Sequence, residues 1–231
     1  MIKRLEKRGS HVEVIISFII FVTFVIFLLS ILMPTVTTKK DKENTFTDVE
    51  IKITDKISSN MTLITINTKD GSDCFDLSNI ISDLGIGKNI IVKDYSEKSV
   101  EAYSNGDSLR INPWSTGDTF FKIYYSEEFD EIATNSGCDS MDYTVGLIKT
   151  NRYIFEKKIL DLINTDHETL RNELKISKGI DFGYGIILSN GTAIETNNSD
   201  VSTNIYIKET PIEYVDLDGN ILEGYLKTKV W

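Results

Sequence analysis

The chain has 231 residues, of which 41% are hydrophobic, 10% are aromatic and only three are proline, so it is not collagen-like, low-complexity or largely disordered. Its length is enough for a buried core without metals or many disulfides. The formal net charge of -10 argues against a nucleic-acid binder, because that affinity depends on lysines and arginines that neutralise phosphates. The charge is uneven, since residues 1–33 carry +2 and the rest of the chain is acidic.

The first predicted element is an apolar segment at residues 12–33, in which Glu13 is the only charged residue. As a helix it would measure about 33 Å, enough to cross a hydrocarbon core of about 30 Å. A helix buried in a soluble core is the alternative, but it would show a polar stripe at helical spacing, and the segment has none. We therefore expect a transmembrane helix that Pro34 ends, with the lipid bilayer as its partner.

A cleaved secretory signal is another explanation of an apolar segment near the amino terminus. The segment is longer than the apolar run of about 7–15 residues in such signals, and residues 30–34 offer no small-x-small cleavage site. We therefore expect it to be kept as an anchor. Basic residues lie on both sides of it, so the positive-inside bias is slight and charge leaves the orientation open.

Residues 7–13 read KRGSHVE and run directly into the apolar helix. This arrangement resembles the class III signal of archaeal and bacterial type IV pilin-like proteins. The resemblance implies that a basic leader ending near Gly9 is clipped on the cytoplasmic side. It also implies that the apolar helix stays as a membrane anchor or filament core, where other pilin-like subunits are its partners.

The same resemblance implies a role for Glu13, because a carboxylate in hydrocarbon is costly unless it is paired, and a subunit's free amino terminus could pair with it. A cut before Gly9 places Glu13 at the usual position, whereas a cut between Gly9 and Ser10 places it one residue early. The alternative is that Glu13 is an interfacial residue at the helix start, where the helix dipole favours negative charge.

Segments later in the chain extend the resemblance. They look similar to archaeal membrane-anchored pilin-like proteins of uncharacterised role, and they cover residues 121–129, 180–185, 205–212 and 226–231. The similarity implies a location and an architecture, and it supplies no catalytic residues.

After the apolar segment, residues 34–46 are polar and aperiodic, which is typical of a juxtamembrane linker or an extension of the helix stem. An alternation of period two then predicts strands at residues 49–53 and 61–66. Further predicted strands lie at residues 89–93, 109–112, 119–125 and 143–148. The outer domain is therefore expected to be mainly β.

The only two cysteines, Cys74 and Cys138, lie in polar, turn-like segments without a CxxC motif. A single disulfide in an oxidising compartment is the favoured interpretation, and two free thiols are the alternative. On the chain-entropy model such a bond stabilises the fold by about 4 kcal/mol. Three Asn-x-Ser/Thr sequons, at Asn60, Asn190 and Asn197, are possible glycan acceptors. Both features favour an outer location for the domain.

One helix is predicted where Thr165 and Glu168 form a capping-box pattern and Leu170 and Leu174 repeat at helical spacing. The residues at 154–163 fit either a second helix or a longer strand.

Two hairpins are predicted in the carboxy-terminal third. Residues 186–188 and 193–195 flank an Asn-Gly turn, and residues 214–215 and 221–222 flank an Asp-Gly turn.

A Gly-Asp-Ser-Leu sequence at residues 106–109 matches the motif of a hydrolase family in which the serine, here Ser108, is the nucleophile. That mechanism needs a histidine base. Of the two histidines, His11 lies at the membrane segment, and His167 lies at a predicted helix start without an aspartate three residues before it. A hairpin turn explains the motif better.

Other chemical motifs are weaker. Asp216, Asp218 and Asn220 match the first ligands of a calcium loop, but Gly219 is at the wrong spacing, so a hairpin turn is favoured. The acidic residues at 127–131 are expected to form a solvated face, and the aromatic residues at 114–125 to pack in the core. We expect no metal or cofactor.

The predicted fold class is α+β, with a long N-terminal transmembrane helix followed by a mainly antiparallel β extracytoplasmic domain with one or two helices. The predicted segments are a basic cytoplasmic tip or leader (1–11), the transmembrane helix (12–33), a juxtamembrane linker (34–46) and the β-rich domain (47–231). The predicted function is that of a non-enzymatic, pilin-like, single-pass cell-surface protein with a structural, assembly or adhesion role. The alternatives are a membrane-tethered serine hydrolase using Ser108 and a monomeric anchored binding module.

Overall fold

The computed structural model of the chain describes residues 9–69, 72–113, 117–135, 137–176, 180–196 and 205–231. It divides into two compact units, Met1–Asp48 and Val49–Trp231. The first contains most of a long helix, and the second contains the end of that helix, three short helices and a large sheet. The fold is α+β with a mainly antiparallel sheet, as predicted.

Helix α1 runs over Gly9–Ile57 without interruption, so the prediction that Pro34 ends it was wrong. A proline inside a helix removes one hydrogen bond and crowds the preceding turn, at a cost of about 3 kcal/mol. A helix of 49 residues keeps its other hydrogen bonds, and packing of its last turns also stabilises it. The residues at 34–46 are thus an extension of the helix stem.

The strand predicted at residues 49–53 was also wrong, because this segment is the end of α1. Val49, Ile53 and Ile57 are buried, whereas Ile51 is 56% exposed. Positions 49 and 53 fit both a period of two and a helical spacing of four, and the exposure of Ile51 shows that the helical spacing applies.

The described residues of the second unit form eleven strands and three further helices. The strands are β1 Ser58–Thr68, β2 Phe75–Leu77, β3 Ile90–Asp94, β4 Ser99–Asn105, β5 Ser108–Asn112, β6 Phe120–Tyr125, β7 Tyr143–Phe155, β8 Phe182–Ile187, β9 Ala193–Glu195, β10 Tyr206–Val215 and β11 Ile221–Val230. The helices are α2 Ile80–Leu84, α3 Glu156–Ile163 and α4 His167–Glu173.

Among the described residues, the strands form one sheet in the order β2-β5-β4-β3-β6-β1-β7-β10-β11-β8-β9. Nine of its ten strand pairs are antiparallel. The exception is β7 with β10, which pair in parallel at only two positions. Strand β1 follows α1 directly, and it lies between β6 and β7 at the centre of the sheet.

The predicted strands at residues 61–66, 89–93, 109–112, 119–125 and 143–148 are confirmed as parts of β1, β3, β5, β6 and β7, except that β3 and β6 each begin one residue later than predicted. Both predicted hairpins are confirmed as β8–β9 and β10–β11. Of the residues at 154–163, which fitted either a helix or a strand, the first two end β7 at Phe155 and the others form α3 from Glu156. The prediction ended β7 too early, at residue 148. Most residues of this strand are exposed and show no regular apolar alternation, so the sequence did not indicate its full length.

The predicted capping box at the start of α4 was wrong by one residue. The N-cap is Asp166, whose side chain accepts a hydrogen bond from the Thr169 backbone N–H at 3.0 Å. The Thr165 hydroxyl instead donates to the Asp161 carbonyl in α3, at 3.0 Å. Aspartate caps a helix as well as threonine does, so either residue fits the pattern in the sequence. Leu170 is buried, as the predicted spacing requires.

Two apolar clusters lie on opposite faces of the sheet. One is built around Ile64 and Ile66 of β1, and the other contains Met61, Tyr124, Phe129, Phe155 and Val215. Residues 61 and 64 point to opposite faces because side chains alternate along a strand.

Helix α3 is joined to strand β8 by a buried hydrogen bond from the Tyr184 hydroxyl to the Leu162 carbonyl, at 2.7 Å. The substitution Tyr184→Phe is expected to lower the free energy of unfolding by about 0.5–1.5 kcal/mol, because this buried hydrogen bond is lost while the Leu162 carbonyl keeps the one from the Thr165 backbone N–H, at 3.1 Å. Chemical denaturation of the full chain measures this. Tyr225→Phe is the control, since Tyr225 is 48% exposed and its loss should cost less than about 0.5 kcal/mol. Equal effects of the two substitutions would contradict this role for Tyr184.

Candidate functional site

The most distinctive surface in the described chain is the apolar segment of α1 at Glu13–Ile31. It has 19 residues and a mean hydropathy of 3.1, and none of it is buried by the rest of the structure. Phe18, Ile20 and Phe21 are each more than 60% exposed. At about 1.5 Å per residue the segment measures about 28 Å, so it is long and apolar enough to span a membrane.

The polar groups of this segment are few. The Thr23 hydroxyl contacts the carbonyl oxygens of Ile19 and Ile20, both at 2.9 Å, so its hydrogen bond stays within the helix. Glu13 is exposed at the amino-terminal end of the segment. Gly9 and Ser10, the predicted processing residues, form the first turn of α1, and the basic residues before them lie outside the described residues.

At its other end, α1 is held against the sheet by polar contacts as well as by its buried residues. Lys208 of β10 lies 2.6 Å from the Glu50 carboxylate. Asp55 pairs with Arg152 at 3.2 Å, and Lys56 pairs with Glu173 at 2.8 Å. These partners come from β10, β7 and α4, so three separate elements fix the last turns of α1.

The predicted disulfide between Cys74 and Cys138 is confirmed, with a Cα–Cα distance of 5.7 Å. It joins the segment before β2 to the loop before β7. Close to it, the Asp76 backbone N–H donates to the Asp139 carbonyl at 2.9 Å, and the Met141 N–H donates to the Asp76 carbonyl at 3.0 Å. The covalent bond therefore secures a loop that already pairs with an edge strand.

Two of the three sequons lie at exposed positions. Asn60 is exposed on β1, and Asn190 is exposed in the β8–β9 turn. The Asn190 side-chain oxygen accepts a hydrogen bond from the Thr192 backbone N–H at 2.9 Å, so the residue also shapes its turn. Asn197 lies outside the described residues.

Ser108 follows the two-residue turn between β4 and β5, as the hairpin interpretation predicts. Its hydroxyl accepts a hydrogen bond from the Asn79 backbone N–H at 3.2 Å. His167 contacts the Phe182 carbonyl at 3.0 Å and the Asp181 carboxylate at 3.3 Å. Strand β5 is second in the sheet order and β8 is tenth. The structure does not bring the serine and the histidine together.

The Asp216 carboxylate organises the turn between β10 and β11. It accepts hydrogen bonds from the backbone N–H groups of Asp218 and Asn220, at 2.9 and 2.7 Å. It also accepts one from the Asn220 side-chain amide at 2.8 Å. The residues that resemble calcium ligands thus bond to one another as a hairpin turn. In the described part of the chain, no group of three His, Cys, Asp or Glu side chains is placed to hold a metal ion.

A buried lysine, Lys93 of β3, lies against this same turn, and sequence reasoning missed it. Lys93 is only 2% exposed. Its ammonium nitrogen donates to the Gly219 carbonyl at 2.9 Å and to the Asn220 side-chain oxygen at 2.6 Å, and it lies 5.4 Å from the centre of the Tyr124 ring. Burial lowers the pKa of Lys93, although Glu97, Asp216 and Asp218 act in the opposite direction. The alternation of apolar residues in the sequence does not indicate that a lysine is buried.

Tyr124 and Glu97 complete the surroundings of Lys93. The Tyr124 hydroxyl donates to the Glu97 carboxylate at 3.0 Å, and Lys122 forms an ion pair with the same carboxylate. Burial raises the pKa of Tyr124, and the negative charge of Glu97 adds to this effect. The phenol therefore stays protonated and acts as a hydrogen-bond donor.

The acidic and aromatic segments have structural roles. Asp130 pairs with Lys157 at 2.8 Å, and Glu128 pairs with Lys158 at 3.2 Å, so acidic residues of this loop bind α3. Phe121 is fully buried, as expected for core packing. Trp114 lies outside the described residues.

Comparison with known proteins gives no match to a family model, to a curated protein or to a solved structure.

Proposed function

We propose that the protein is a single-pass, membrane-anchored surface protein, pilin-like in architecture, with a structural, assembly or adhesion role and no catalytic one. The observation that carries this proposal is the apolar segment Glu13–Ile31, which no other part of the described chain buries. An apolar surface of this size in water is unfavourable by about 25 cal/mol for each Å² exposed. A bilayer or a bundle of like helices covers such a surface.

The continuous helix is a second source of support. The last turns of α1, with Val49, Ile53 and Ile57, are part of the core of the second unit. The helix that carries the apolar segment therefore continues directly into the second unit. This is the arrangement that an anchor with a folded head requires, and it agrees with the resemblance of residues 7–13 to a class III signal.

We place the head outside the cytoplasm on the basis of its covalent chemistry. A disulfide between Cys74 and Cys138 is typical of an oxidising compartment. The exposed sequons at Asn60 and Asn190 agree with the same side of the membrane. On this arrangement the basic residues before Gly9 stay in the cytoplasm, in line with the positive-inside tendency.

Fractionation and mass spectrometry of the full-length protein test the proposal. We expect the protein to need detergent for extraction, and its head to be digested when protease is added to intact cells. For the pilin-like part, we expect the mature chain to start at Gly9 or Ser10. A mature chain that still starts at residue 1 or 2 would contradict leader processing. A product that is soluble without detergent, as a cleaved signal sequence would give, would contradict the anchor.

A further inference from the structure

The contact between Lys93 and Asn220 has the geometry of two groups close to reaction. The lysine nitrogen lies 2.6 Å from the side-chain oxygen of Asn220. Because a carbonyl bond is about 1.23 Å long, the amide carbon Cγ lies no more than about 3.8 Å from that nitrogen. Reacting atoms in a near-attack arrangement lie about 3–3.5 Å apart. The largest separation that this contact allows is therefore within about 0.3 Å of that range.

The amide of Asn220 is held in a fixed orientation by Asp216. The Asn220 Nδ2 group donates to one carboxylate oxygen of Asp216 at 2.8 Å, while the Asn220 backbone N–H donates to the other at 2.7 Å. The amide oxygen therefore faces Lys93, and the amide nitrogen faces a carboxylate. A carboxylate at this position is able to accept a proton and then pass it to the amide nitrogen.

Burial shifts the lysine toward its uncharged, nucleophilic form. Lys93 is 2% exposed, and burial lowers its pKa. The neighbouring Lys122 has the same effect, whereas the negative charges of Glu97, Asp216 and Asp218 oppose it. A neutral amine is the form that attacks a carbonyl carbon.

The turn is also pressed closely against β3, which keeps the reacting groups together. Gly219 has a φ of +72°, and a Cβ atom at this position would lie 2.7 Å from the Ile91 side chain. The Gly219 carbonyl accepts a second hydrogen bond from the lysine nitrogen at 2.9 Å. The positive φ favours a glycine here, and a larger residue would also displace the end of the Ile91 side chain.

We propose that Lys93 and Asn220 are a modification site, at which an intramolecular isopeptide bond joins β3 to the turn between β10 and β11. The lone pair of Lys93 Nζ attacks Cγ of Asn220, and a new C–N bond forms. Asp216 takes a proton from the attacking nitrogen and delivers it to Nδ2. The Cγ–Nδ2 bond then breaks, and one molecule of ammonia leaves. The reaction needs no oxidant, reductant or added reagent.

Intact mass spectrometry of the full-length protein, reduced and purified in detergent, tests the proposal. The mass is expected to be about 17 Da below that of the sequence from its observed amino terminus, which corresponds to one ammonia. A tryptic digest is expected to contain one branched peptide that carries both Lys93 and Asn220. Separate unmodified peptides for the two residues, together with the full sequence mass, would overturn the proposal.

Variants locate the loss of mass. Lys93→Met and Asp216→Ala are each expected to restore the full sequence mass. Lys149→Met is the control, since Lys149 is an exposed lysine on β7 and is expected to leave the loss unchanged. Ammonia is also lost when an asparagine forms a succinimide, so a loss that persists in Lys93→Met would assign it to another residue and overturn the proposal. Intact mass can be measured for a variant even if the substitution lowers its stability.

Discussion

The double substitution Ile20→Lys and Phe24→Lys is expected to move most of the protein from the membrane fraction to the soluble fraction. The two residues are 63% and 57% exposed, lie one helical turn apart, and are near the middle of the segment Glu13–Ile31. A lysine at the centre of a membrane-spanning helix costs about 2.5–3.5 kcal/mol, so two cost about 5–7 kcal/mol. This corresponds to a change of more than about 10³-fold in the partition equilibrium.

The control for this experiment changes apolar residues that are equally exposed but belong to the second unit. Ile51 is 56% exposed and Leu217 is 60% exposed. The double substitution Ile51→Lys and Leu217→Lys is expected to leave the protein in the membrane fraction, as measured by carbonate extraction and immunoblotting. Retention of the Ile20 and Phe24 variant in the membrane would show that another part of the chain provides the attachment.

The substitution Ile53→Ala is expected to lower the free energy of unfolding by about 2–5 kcal/mol, because it removes a side chain that is 0% exposed at the junction of α1 with the sheet. Ile51→Ala, two residues away, is expected to change it by less than about 0.5 kcal/mol, since Ile51 faces solvent. Denaturant unfolding of the full chain in detergent, followed by tryptophan fluorescence, measures both values.

This pair of substitutions also distinguishes a helix from a strand. In a strand, positions 51 and 53 share a face, so both alanine variants would be similarly destabilised. In the helix they lie about 200° apart, and only one of them is buried. Similar losses in the two variants would therefore contradict the helical assignment of this segment.

The parts of the fold that depend on local signals could be predicted from the sequence. Gly191 and Gly219 adopt positive φ angles of +81° and +72° in the two predicted hairpins, which is the conformation that Asn-Gly and Asp-Gly turns favour. Strands β3, β5 and β6 contain enough buried apolar residues to be recognised in the sequence. The disulfide could be predicted because the chain has only two cysteines.

The errors occurred where a local signal fitted two structures and a distant contact decided between them. Residues 49–53 fit a strand and a helix equally well until Ile57 and the elements packed around it are known. Pro34 usually marks a helix end, but the surrounding helix is long enough to continue through it. The position of the α4 cap depended on a choice between two adjacent residues that both cap helices well.

The same distinction between local signals and distant contacts applies to the candidate sites. The apolar segment could be predicted because its signal lies within one stretch of sequence. The contact of Lys93 with Asn220 could not be predicted, because it joins residues that are 127 positions apart. It forms only because the β10–β11 turn lies over the face of β3 that carries Ile91 and Lys93. Neither periodicity nor spacing encodes that placement.

The direct passage from α1 into β1 has a mechanical consequence. No loop separates Ile57 from Ser58, and β1 is paired on both sides, with β6 and with β7. Force applied to the end of α1 is therefore transmitted directly to a central strand that two antiparallel ladders hold. A tether that entered at an edge strand would instead peel its hydrogen bonds apart one after another. We therefore expect the second unit to resist force applied through α1 better than it would if α1 led into an edge strand.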